Sequence, residues 1–312
     1  PHPFKQMPNL KSTAANFVGV VLFLVSLSHW FPMGVHLLEL ISAFAHFTLA
    51  LSALASIFLA FQRSWMALSF SVLAMVLGAA LLFPHFASLQ STGEPNFTIG
   101  QFNLYHGNPS SEQAILELSA AEFDIFTIQE LNSGWMPNID SLIKNKYPFY
   151  LEEPWKGCCY GIGIYSKFPI VDGEVFELGK TPAIRASIKI NGQIITVISF
   201  HTRPPAFPDE TDIRNAQMRT IAEMSHTIEE PILVLGDFNV VPWDAAFDSF
   251  LTTGNIRAVR NGFQATYPMD FGVPLIPIDH ITYSAGLEPT SCETLTLTGS
   301  DHKGIVASFK LE

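Results

Sequence analysis

The chain has 312 residues, 48% of them hydrophobic and 14% charged, and its formal net charge at pH 7 is −11. This length allows one large domain or two. The 218 residues from Pro95 onward carry 14 basic and 26 acidic side chains, a net charge of −12, which argues against tight binding of nucleic acid through its phosphates because proteins that bind in this way are normally basic.

Three strongly apolar stretches occupy the first 90 residues and account for the positive mean hydropathy. Residues 14–31 and 65–86 carry no charged side chain, and residues 35–61 carry only Glu39. Each stretch is close to the ~20 residues with which a helix crosses a bilayer. The sequence therefore predicts a membrane anchor over residues 1–90 with three transmembrane helices. A cleaved signal peptide is the alternative for the first stretch, but no clear small-residue cleavage site follows it.

The few basic residues near these stretches predict the orientation of the anchor. Lys5 and Lys11 precede the first stretch and Arg63 lies between the second and third, whereas the 32–34 loop has no basic residue. The positive-inside rule then places the N-terminus and Arg63 in the cytoplasm. Three crossings deliver the rest of the chain to the other side. For a bacterium this is a multi-pass protein of the inner (plasma) membrane with a periplasmic or extracellular domain.

Polar side chains are sparse within the predicted spans. Glu39 and His46 share a face of the second span, and packing or snorkelling to the interface is the role that their positions favour. Small residues such as Ser52, Ser56 and Gly78 suit close packing of helices. Three spans with so few polar positions make a poor pathway for a transporter.

After a polar linker at residues 91–96, strands and helices alternate irregularly. The predicted strands are 97–102, 124–128, 161–166, 184–190, 194–200, 231–235, 278–283, 293–297 and 305–311, and the predicted helices are 110–120, 136–144 and 210–228. Asn191-Gly192 is typical of a hairpin turn, and Ser110 with Gln113 predicts a capping box. Hairpins among helices indicate mixed sheets in a domain that spans residues 97–312.

Polar side chains interrupt this pattern where the predicted strands end. In Gly236-Asp237-Phe238-Asn239, the alternation of an extended backbone points Asp237 and Asn239 the same way. Such a buried pair is costly unless it binds a hard cation, an activated water or a phosphoryl oxygen. An Asx-turn that only closes the strand is the alternative for this motif alone. Comparable positions are held by Asn103, Glu130, His201, Asp279, His280, Ser300, Asp301 and His302.

These motifs together resemble the endonuclease/exonuclease/phosphatase superfamily, which includes pancreatic-type deoxyribonuclease, abasic-site endonucleases, neutral sphingomyelinases and inositol-polyphosphate 5-phosphatases. The ordered string is Asn103, Gln129-Glu130, His201, Gly236-Asp237-Phe238-Asn239, Ile278-Asp279-His280 and Gly299-Ser300-Asp301-His302. The match covers essentially all of residues 97–312. The resemblance implies an α/β fold, a four-layer sandwich of two mixed sheets flanked by helices, with the site where strand ends meet.

The resemblance also implies a metal and roles for the site residues. Glu130 is the expected Mg²⁺ ligand because it is a hard carboxylate, with Asn103 and Asp301 as direct or water-mediated ligands and Mn²⁺ as the alternative ion. Asp237 would orient or deprotonate the attacking water, and Asn239 would hold a phosphoryl oxygen.

The two histidines complete the expected site. Asp279 and His302 would form a carboxylate–imidazole pair in which the carboxylate fixes the ring tautomer and raises its basicity. His302 would then act as a base or phosphate contact, and His201 as a general acid or phosphate contact. Each of these residues alone is more typical of a satisfied polar group, a turn or a cap, whereas the ordered set favours catalysis.

Three further positions bear on the site. Arg185 and Arg203 are candidate phosphate contacts since a guanidinium matches phosphate geometry, and surface ion pairing is the alternative for both. Some nuclease members of the superfamily place an acidic residue two positions after the first asparagine, where this chain has Tyr105. That departure predicts a thinner metal shell on this side and leaves a single-metal arrangement on Glu130 intact.

The three cysteines, Cys158, Cys159 and Cys292, show no metal-ligand spacing. In an oxidising compartment Cys292 has the choice of pairing with either of the other two, and the sequence leaves this open.

The prediction is a membrane-anchored, Mg²⁺-dependent phosphoesterase that hydrolyses a phosphodiester or phosphomonoester by metal-assisted attack of water. One alternative is a nuclease acting on extracytoplasmic DNA or RNA. A second is a sphingomyelinase-like phosphodiesterase acting on lipid headgroups, which an anchor would hold near its substrate. A third is a non-catalytic membrane protein that keeps the fold only for binding, and the intact set of acidic, amide and imidazole residues opposes it.

Overall fold

A computed structural model of the chain describes residues 10–31, 35–90, 93–270 and 272–312. The chain forms two compact units, Pro1–His85 and Phe86–Glu312. Three parts of the predictions lie outside the described residues. They are Lys5, whose charge contributes to the predicted orientation, the 32–34 loop, and residues 91–92 of the predicted linker.

The first unit is helical. Its elements are α1 (Leu10–Ser28), α2 (His36–Ala43), α3 (Ala45–Phe61) and α4 (Trp65–Leu82), and a 3₁₀ turn at Phe83–Phe86 ends at the first residue of the second unit. Of the described helices, only Trp65–Phe86 is by itself long and apolar enough to cross a membrane.

The prediction of three continuous spans differs from this structure in two places. The stretch predicted as the second span is two helices, α2 and α3, bent by 68° where Phe44 leaves the helical conformation. The first stretch contains a shorter apolar helix, Ser12–Ser28. By length and composition, the described residues thus offer one span, or two if the bent pair crosses as one.

Small side chains bring the helices of this unit close together. The Ser56 hydroxyl donates to the Ser52 carbonyl at 2.8 Å and the Ser71 hydroxyl donates to the same carbonyl at 2.9 Å, which joins α3 to α4. A Cβ added to Gly19 on α1 would lie 2.6 Å from the carbonyl oxygen of Ala67 on α4. These contacts match the close helix packing expected from the sequence.

The second unit contains twelve strands and four helices among its described residues. The strands are β1 (Phe97–Asn103), β2 (Ile125–Gln129), β3 (Phe149–Glu153), β4 (Ile162–Ser166), β5 (Ile170–Leu178), β6 (Thr181–Ile190), β7 (Gln193–His201), β8 (Ile232–Asp237), β9 (Arg257–Ala258), β10 (Asp279–Tyr283), β11 (Leu287–Thr296) and β12 (Lys303–Leu311). The helices are α5 (Ser111–Ala120), α6 (Met136–Leu142), α7 (Pro208–His226) and α8 (Ala245–Gly254). The two six-stranded sheets have the orders β11-β12-β1-β2-β4-β3 and β5-β6-β7-β8-β10-β9.

Three hydrophobic clusters define the layers of this unit. Ile99 of the first sheet and Val197 of the second belong to the cluster between the sheets. Phe126 belongs to the cluster that joins the first sheet to α5 and α6. Phe200 and Phe250 belong to the cluster that joins the second sheet to α7 and α8. Two mixed sheets flanked by helices are confirmed, as the sequence predicted.

Most predicted elements are present, and the differences have physical reasons. The sequence did not predict β3 and β5. Both are edge strands with many exposed positions, so they lack a clear alternation of apolar and polar residues. The sequence also did not predict α8, although Asp244 caps this helix by accepting the Ala246 N–H at 2.8 Å. The capping box at Ser110 is wrong, since the Ser110 side chain makes no capping bond and its own N–H donates to Asn108 Oδ1 at 2.7 Å.

Gly236, one residue before the end of β8, permits the close approach of β7. Its φ is +152°, and an added Cβ would lie 1.9 Å from the carbonyl oxygen of Phe200. We expect Gly236→Ala to lower the free energy of unfolding by about 2–4 kcal/mol, since both the backbone conformation and the strand contact must change. Denaturant unfolding of the full chain measures the effect.

Gly192→Ala is the matched control for this change. Gly192 has a φ of +92° but open space where a Cβ would lie, so we expect a loss of only about 1 kcal/mol. Equal losses for the two variants would show that the contact with Phe200 carries no special cost.

Candidate functional site

The two sheets bring several strand ends to the same place. β1 and β2 are parallel with Asn103 opposite Gln129, and β7 and β8 are parallel with His201 opposite Asp237. β10 runs antiparallel to β8 and begins with Asp279 opposite Asp237. The polar residues that follow or end these strands are therefore neighbours in the fold, although they are far apart in the sequence.

Asp237 is the centre of this group. Its Oδ1 accepts the Asn239 N–H at 3.0 Å, and its Oδ2 accepts an amide hydrogen of Asn103 at 3.1 Å. The same Oδ2 lies 3.5 Å from His201 Nε2 and 3.8 Å from His302 Nε2. Burial, followed by the negative charge of Asp279, raises the pKa of Asp237. One buried carboxylate thus faces both imidazoles.

Asp279 and His302 form the predicted carboxylate–imidazole pair. Asp279 Oδ2 lies 2.8 Å from His302 Nδ1, and its Oδ1 accepts an amide hydrogen of Gln101 at 2.9 Å. This contact fixes Nδ1 toward Asp279 and Nε2 toward Asp237. Burial works to lower the pKa of His302, but the charges of Asp279 and Asp237 outweigh it and raise the pKa.

Glu130 lies beside Asp237 in an uncommon backbone conformation. It follows β2 with a φ of +61°, a value that costs energy for a residue with a Cβ and is often found at functional sites. Its Oε1 accepts an Asn103 amide hydrogen at 3.1 Å, and its Oε2 accepts the His106 N–H at 2.7 Å. Burial works to raise the pKa of Glu130, but the charge of His201 and these hydrogen bonds lower it.

The donor set fits a divalent cation. Asp301 Oδ1 is buried without a hydrogen-bond partner and lies 4.0 Å from His302 Nε2. Burial, and to a smaller extent the charge of Glu130, raise the pKa of Asp301 despite the nearby imidazole. Carboxylates that gather with unused oxygen lone pairs are the ligands that a hard cation such as Mg²⁺ requires. Ligand atoms of Asp237, Asp279 and His302 lie within 4.8 Å of one another and could hold such an ion, whereas the assignment of Glu130 and Asp301 as its ligands stays a prediction.

The side-chain oxygen of Asn103, the atom through which an amide binds a metal, accepts a backbone hydrogen bond in this structure. Its Oδ1 accepts the Tyr105 N–H at 2.9 Å, while its amide nitrogen donates to Glu130 and Asp237. In this arrangement Asn103 joins the two carboxylates. Its role as a ligand, direct or through water, stays a prediction, as do the roles of the other site residues.

The two predicted arginines are placed differently. Arg185 lies on β6, forms a 2.9 Å ion pair with Glu174 and has no described contact with the site. This arrangement is the surface ion pairing that was the alternative to a phosphate contact. Arg203 pairs with Glu210 at 3.6 Å and lies over the Tyr160 ring, whose centroid is 5.4 Å from that of His201. Only Arg203 therefore lies beside the site.

A buried polar network supports the site and was not predicted. Gln101 donates to Gln129 Oε1 at 2.7 Å, and Gln129 donates to Ser199 Oγ at 3.1 Å, which links the two sheets behind Asp279. The available signal was the presence of glutamines inside otherwise apolar strands. His106 was also missed, and no pattern in the sequence marks it.

Other polar residues hold the loops or face away. The Arg214 guanidinium donates to the Asn239 carbonyl at 3.2 Å, and Gln217 accepts the Arg203 N–H at 2.9 Å, so α7 supports the ends of β7 and β8. His280, next to Asp279, points to the opposite face of the strand and lies 2.7 Å from the Val240 carbonyl.

The cysteines pair differently from the two possibilities that the sequence leaves open. Cys158 and Cys159 form a disulfide with each other. Cys292 is a buried free thiol that donates to Gln264 Oε1 at 3.3 Å. Neither pairing of Cys292 that the sequence left open is present in this structure.

Comparisons with known proteins give one family match. The model of the Endonuclease/Exonuclease/phosphatase family matches residues 100–302. No curated protein matches the sequence.

Solved structures resemble this chain in fold over about two thirds of its length. An endonuclease/exonuclease/phosphatase from Bacteroides vulgatus is 20% identical, covers 69% of this chain and 99% of its own, and superimposes with a TM-score of 0.59. Humanized D. rerio TDP2 is 15% identical over 69% of this chain and 98% of its own, with a TM-score of 0.57. Sphingomyelinase C from Streptomyces griseocarneus is 16% identical over 68% and 98%, with a TM-score of 0.54.

Proposed function

Since the chain belongs to the endonuclease/exonuclease/phosphatase family, whose members are generally hydrolases of phosphoesters, we propose that it is a membrane-anchored, Mg²⁺-dependent phosphoesterase. The observation that carries the proposal is the position of Asp237, which faces His201 and His302 and is joined through Asn103 to Glu130. The proposed site uses the residues that the sequence predicted, except Arg185.

The cation, when bound, would neutralise charge on the phosphoryl oxygens and so assist the attack of water. Glu130 and Asp301 are the proposed ligands, and Mn²⁺ is the alternative ion. Asp237 would orient the attacking water and accept its proton. Asn239 has an amide hydrogen beyond the one it donates to the Thr202 carbonyl at 3.1 Å, and this hydrogen is available to a phosphoryl oxygen.

Each histidine would act through its Nε2 atom, which faces the carboxylate of Asp237. His302 is held by Asp279 so that only Nε2 can exchange a proton with the reacting group or bind a phosphoryl oxygen. His201 is the proposed general acid for the leaving oxygen or a second phosphate contact, and both assignments are proposals.

Asp279 is proposed as a positioning residue for His302. We expect Asp279→Asn to lower kcat about 10²-fold with little change in KM, because the amide can hold the wrong tautomer of the ring while the substrate contacts remain. Steady-state kinetics of the full chain measure the split between kcat and KM. Asp172→Asn, an exposed change on β5, is the matched control. A rise in KM with unchanged kcat would contradict the positioning role.

The charge of the catalytic unit favours a lipid headgroup over a polynucleotide as the substrate. Residues from Pro95 onward have a net charge of −12, which repels a long polyanion, and an anchored enzyme works beside a lipid surface. A nuclease remains the second candidate because the site chemistry suits any phosphodiester.

A hydrolysis panel with the full chain tests both the activity and the substrate class. It compares DNA, RNA, sphingomyelin vesicles, phosphoinositide vesicles and simple phosphomonoesters, each with Mg²⁺ and with a chelator. We expect metal-dependent turnover that is fastest on a phospholipid. Fastest turnover on a polynucleotide would favour the nuclease, and no turnover of any substrate would favour the non-catalytic binding protein.

The anchor and its orientation are also proposals. The apolar helix Trp65–Phe86 and the apolar helices before it support membrane insertion. The basic residues support a cytoplasmic N-terminus, and we propose an odd number of crossings, which puts the catalytic domain in the periplasm or outside the cell. Alkaline phosphatase fused after Glu312 should be active in bacterial cells, whereas green fluorescent protein fused there through the same export route should be dark. The reverse pattern, or recovery of the chain in the soluble fraction, would overturn this assignment.

A further inference from the structure

The disulfide between Cys158 and Cys159 lies beside the candidate site and belongs to none of the roles proposed above. Cys159 Sγ is 3.6 Å from His106 Nδ1, which in turn is 2.9 Å from Glu130 Oε2. All three ligand atoms lie within 4.8 Å of one another. They come from the segments after β1, after β2 and before β4, so the fold brings together a sulfur, a nitrogen and an oxygen donor.

We propose that reduction of the Cys158–Cys159 disulfide creates a second metal site, in which the Cys159 thiolate, His106 Nδ1 and Glu130 bind Zn²⁺. A sulfur in a disulfide has no charge to offer a metal, so the site cannot form in the oxidised chain. Opening the bond supplies the missing thiolate.

The distance between the sulfur and nitrogen donors agrees with this ion. Zn–S bonds of about 2.3 Å and Zn–N bonds of about 2.0–2.1 Å in a tetrahedral site separate the sulfur and nitrogen by about 3.6 Å. The separation of Cys159 Sγ from His106 Nδ1 is 3.6 Å. A water would complete the four ligands. Mg²⁺ would not select this set because it prefers oxygen donors.

Both the reductant and the metal can reach the site. Cys158 is exposed, and the His106 side chain retains 39% of its accessible surface. An external dithiol would attack the disulfide, break the S–S bond through a mixed disulfide and leave as its own disulfide, with two electrons passing to the two cysteines. Zn²⁺ would then displace the proton of the Cys159 thiol to solvent.

The site also has a consequence that rests on the proposed function. Glu130 is the proposed Mg²⁺ ligand, so a metal bound by Cys159 and His106 would take this carboxylate from the phosphoesterase site. Zn²⁺ should therefore inhibit the reduced enzyme more than the oxidised one.

Cobalt binding tests the new site without any need for catalysis. Co²⁺ bound to a thiolate gives a charge-transfer absorption in the near ultraviolet. We expect this band when Co²⁺ is added without Mg²⁺ to the reduced full chain, and no such band with the oxidised chain. Excess Zn²⁺ should remove the band.

Two variants separate the roles of the cysteines. Cys158→Ser leaves Cys159 as a thiol and should show the band without reductant, whereas Cys159→Ser should show none under any condition. Both variants lose the same disulfide and keep Cys292, so they control for each other. His106→Ala should weaken cobalt binding about tenfold or more. A reduced wild-type chain without the band, or equal bands in the two cysteine variants, would overturn the proposal whether or not the chain is a phosphoesterase.

Discussion

Asp237→Asn is expected to lower kcat/KM for phosphodiester hydrolysis about 10⁴-fold, the upper range for loss of a general base. The amide keeps the size of the side chain, and its oxygen can still accept the Asn239 N–H that Asp237 accepts at 3.0 Å. It cannot accept a proton from water. Initial rates on the substrate that the panel identifies, with saturating Mg²⁺, measure the effect.

The stability of the same variant gives an independent result. Burial and the charge of Asp279 raise the pKa of Asp237, so the ionised carboxylate is unfavourable in the folded chain. A neutral amide removes that cost, and we expect Tm to stay the same or rise. Asp248→Asn, an exposed change on α8, is the control for activity. Wild-type kcat/KM in Asp237→Asn would remove this carboxylate from the mechanism.

Glu130→Gln is expected to lower kcat about 10³-fold, since a neutral amide neither attracts the cation nor offsets its charge as a carboxylate does. We also expect the Mg²⁺ concentration for half-maximal activity to rise at least about tenfold. Activity measured across a range of Mg²⁺ concentrations gives both values. The His106 N–H bonds to Oε2 at 2.7 Å and can still donate to the amide oxygen, so the local fold should persist.

Glu153→Gln is the matched control for this variant because Glu153 is exposed on the edge strand β3. Its Mg²⁺ dependence should equal that of the wild type. An unchanged Mg²⁺ dependence in Glu130→Gln, with kcat alone reduced, would place the cation elsewhere and leave Asp237, Asp279 and Asp301 as the carboxylates to consider.

The arrangement of the site could be predicted to the extent that it depends on strand ends. Asp237 and Asn239 follow five apolar residues, and Glu130 follows another apolar run, so the sequence marks where each strand stops. Parallel pairing of β7 with β8 then places His201 opposite Asp237. Polar residues that end buried strands carry their own signal, because burial without a partner is costly.

Features that depend on contacts between distant segments could not be predicted in this way. The bond from Gln101 to Asp279 and the contact of His106 with Glu130 depend on how the sheets and loops meet. The break at Phe44 lacks the proline or glycine that marks most sharp bends. Edge strands such as β5 have exposed faces and therefore little apolar pattern to read.

The central claim is that one carboxylate-rich site hydrolyses phosphoesters with a bound divalent cation. Its most direct test is the hydrolysis of bis(p-nitrophenyl) phosphate by the full chain after removal of metal with a chelator and during readdition of Mg²⁺. We predict that turnover disappears with the chelator and returns in proportion to Mg²⁺ binding. Turnover that persists at the same rate without metal would contradict the account.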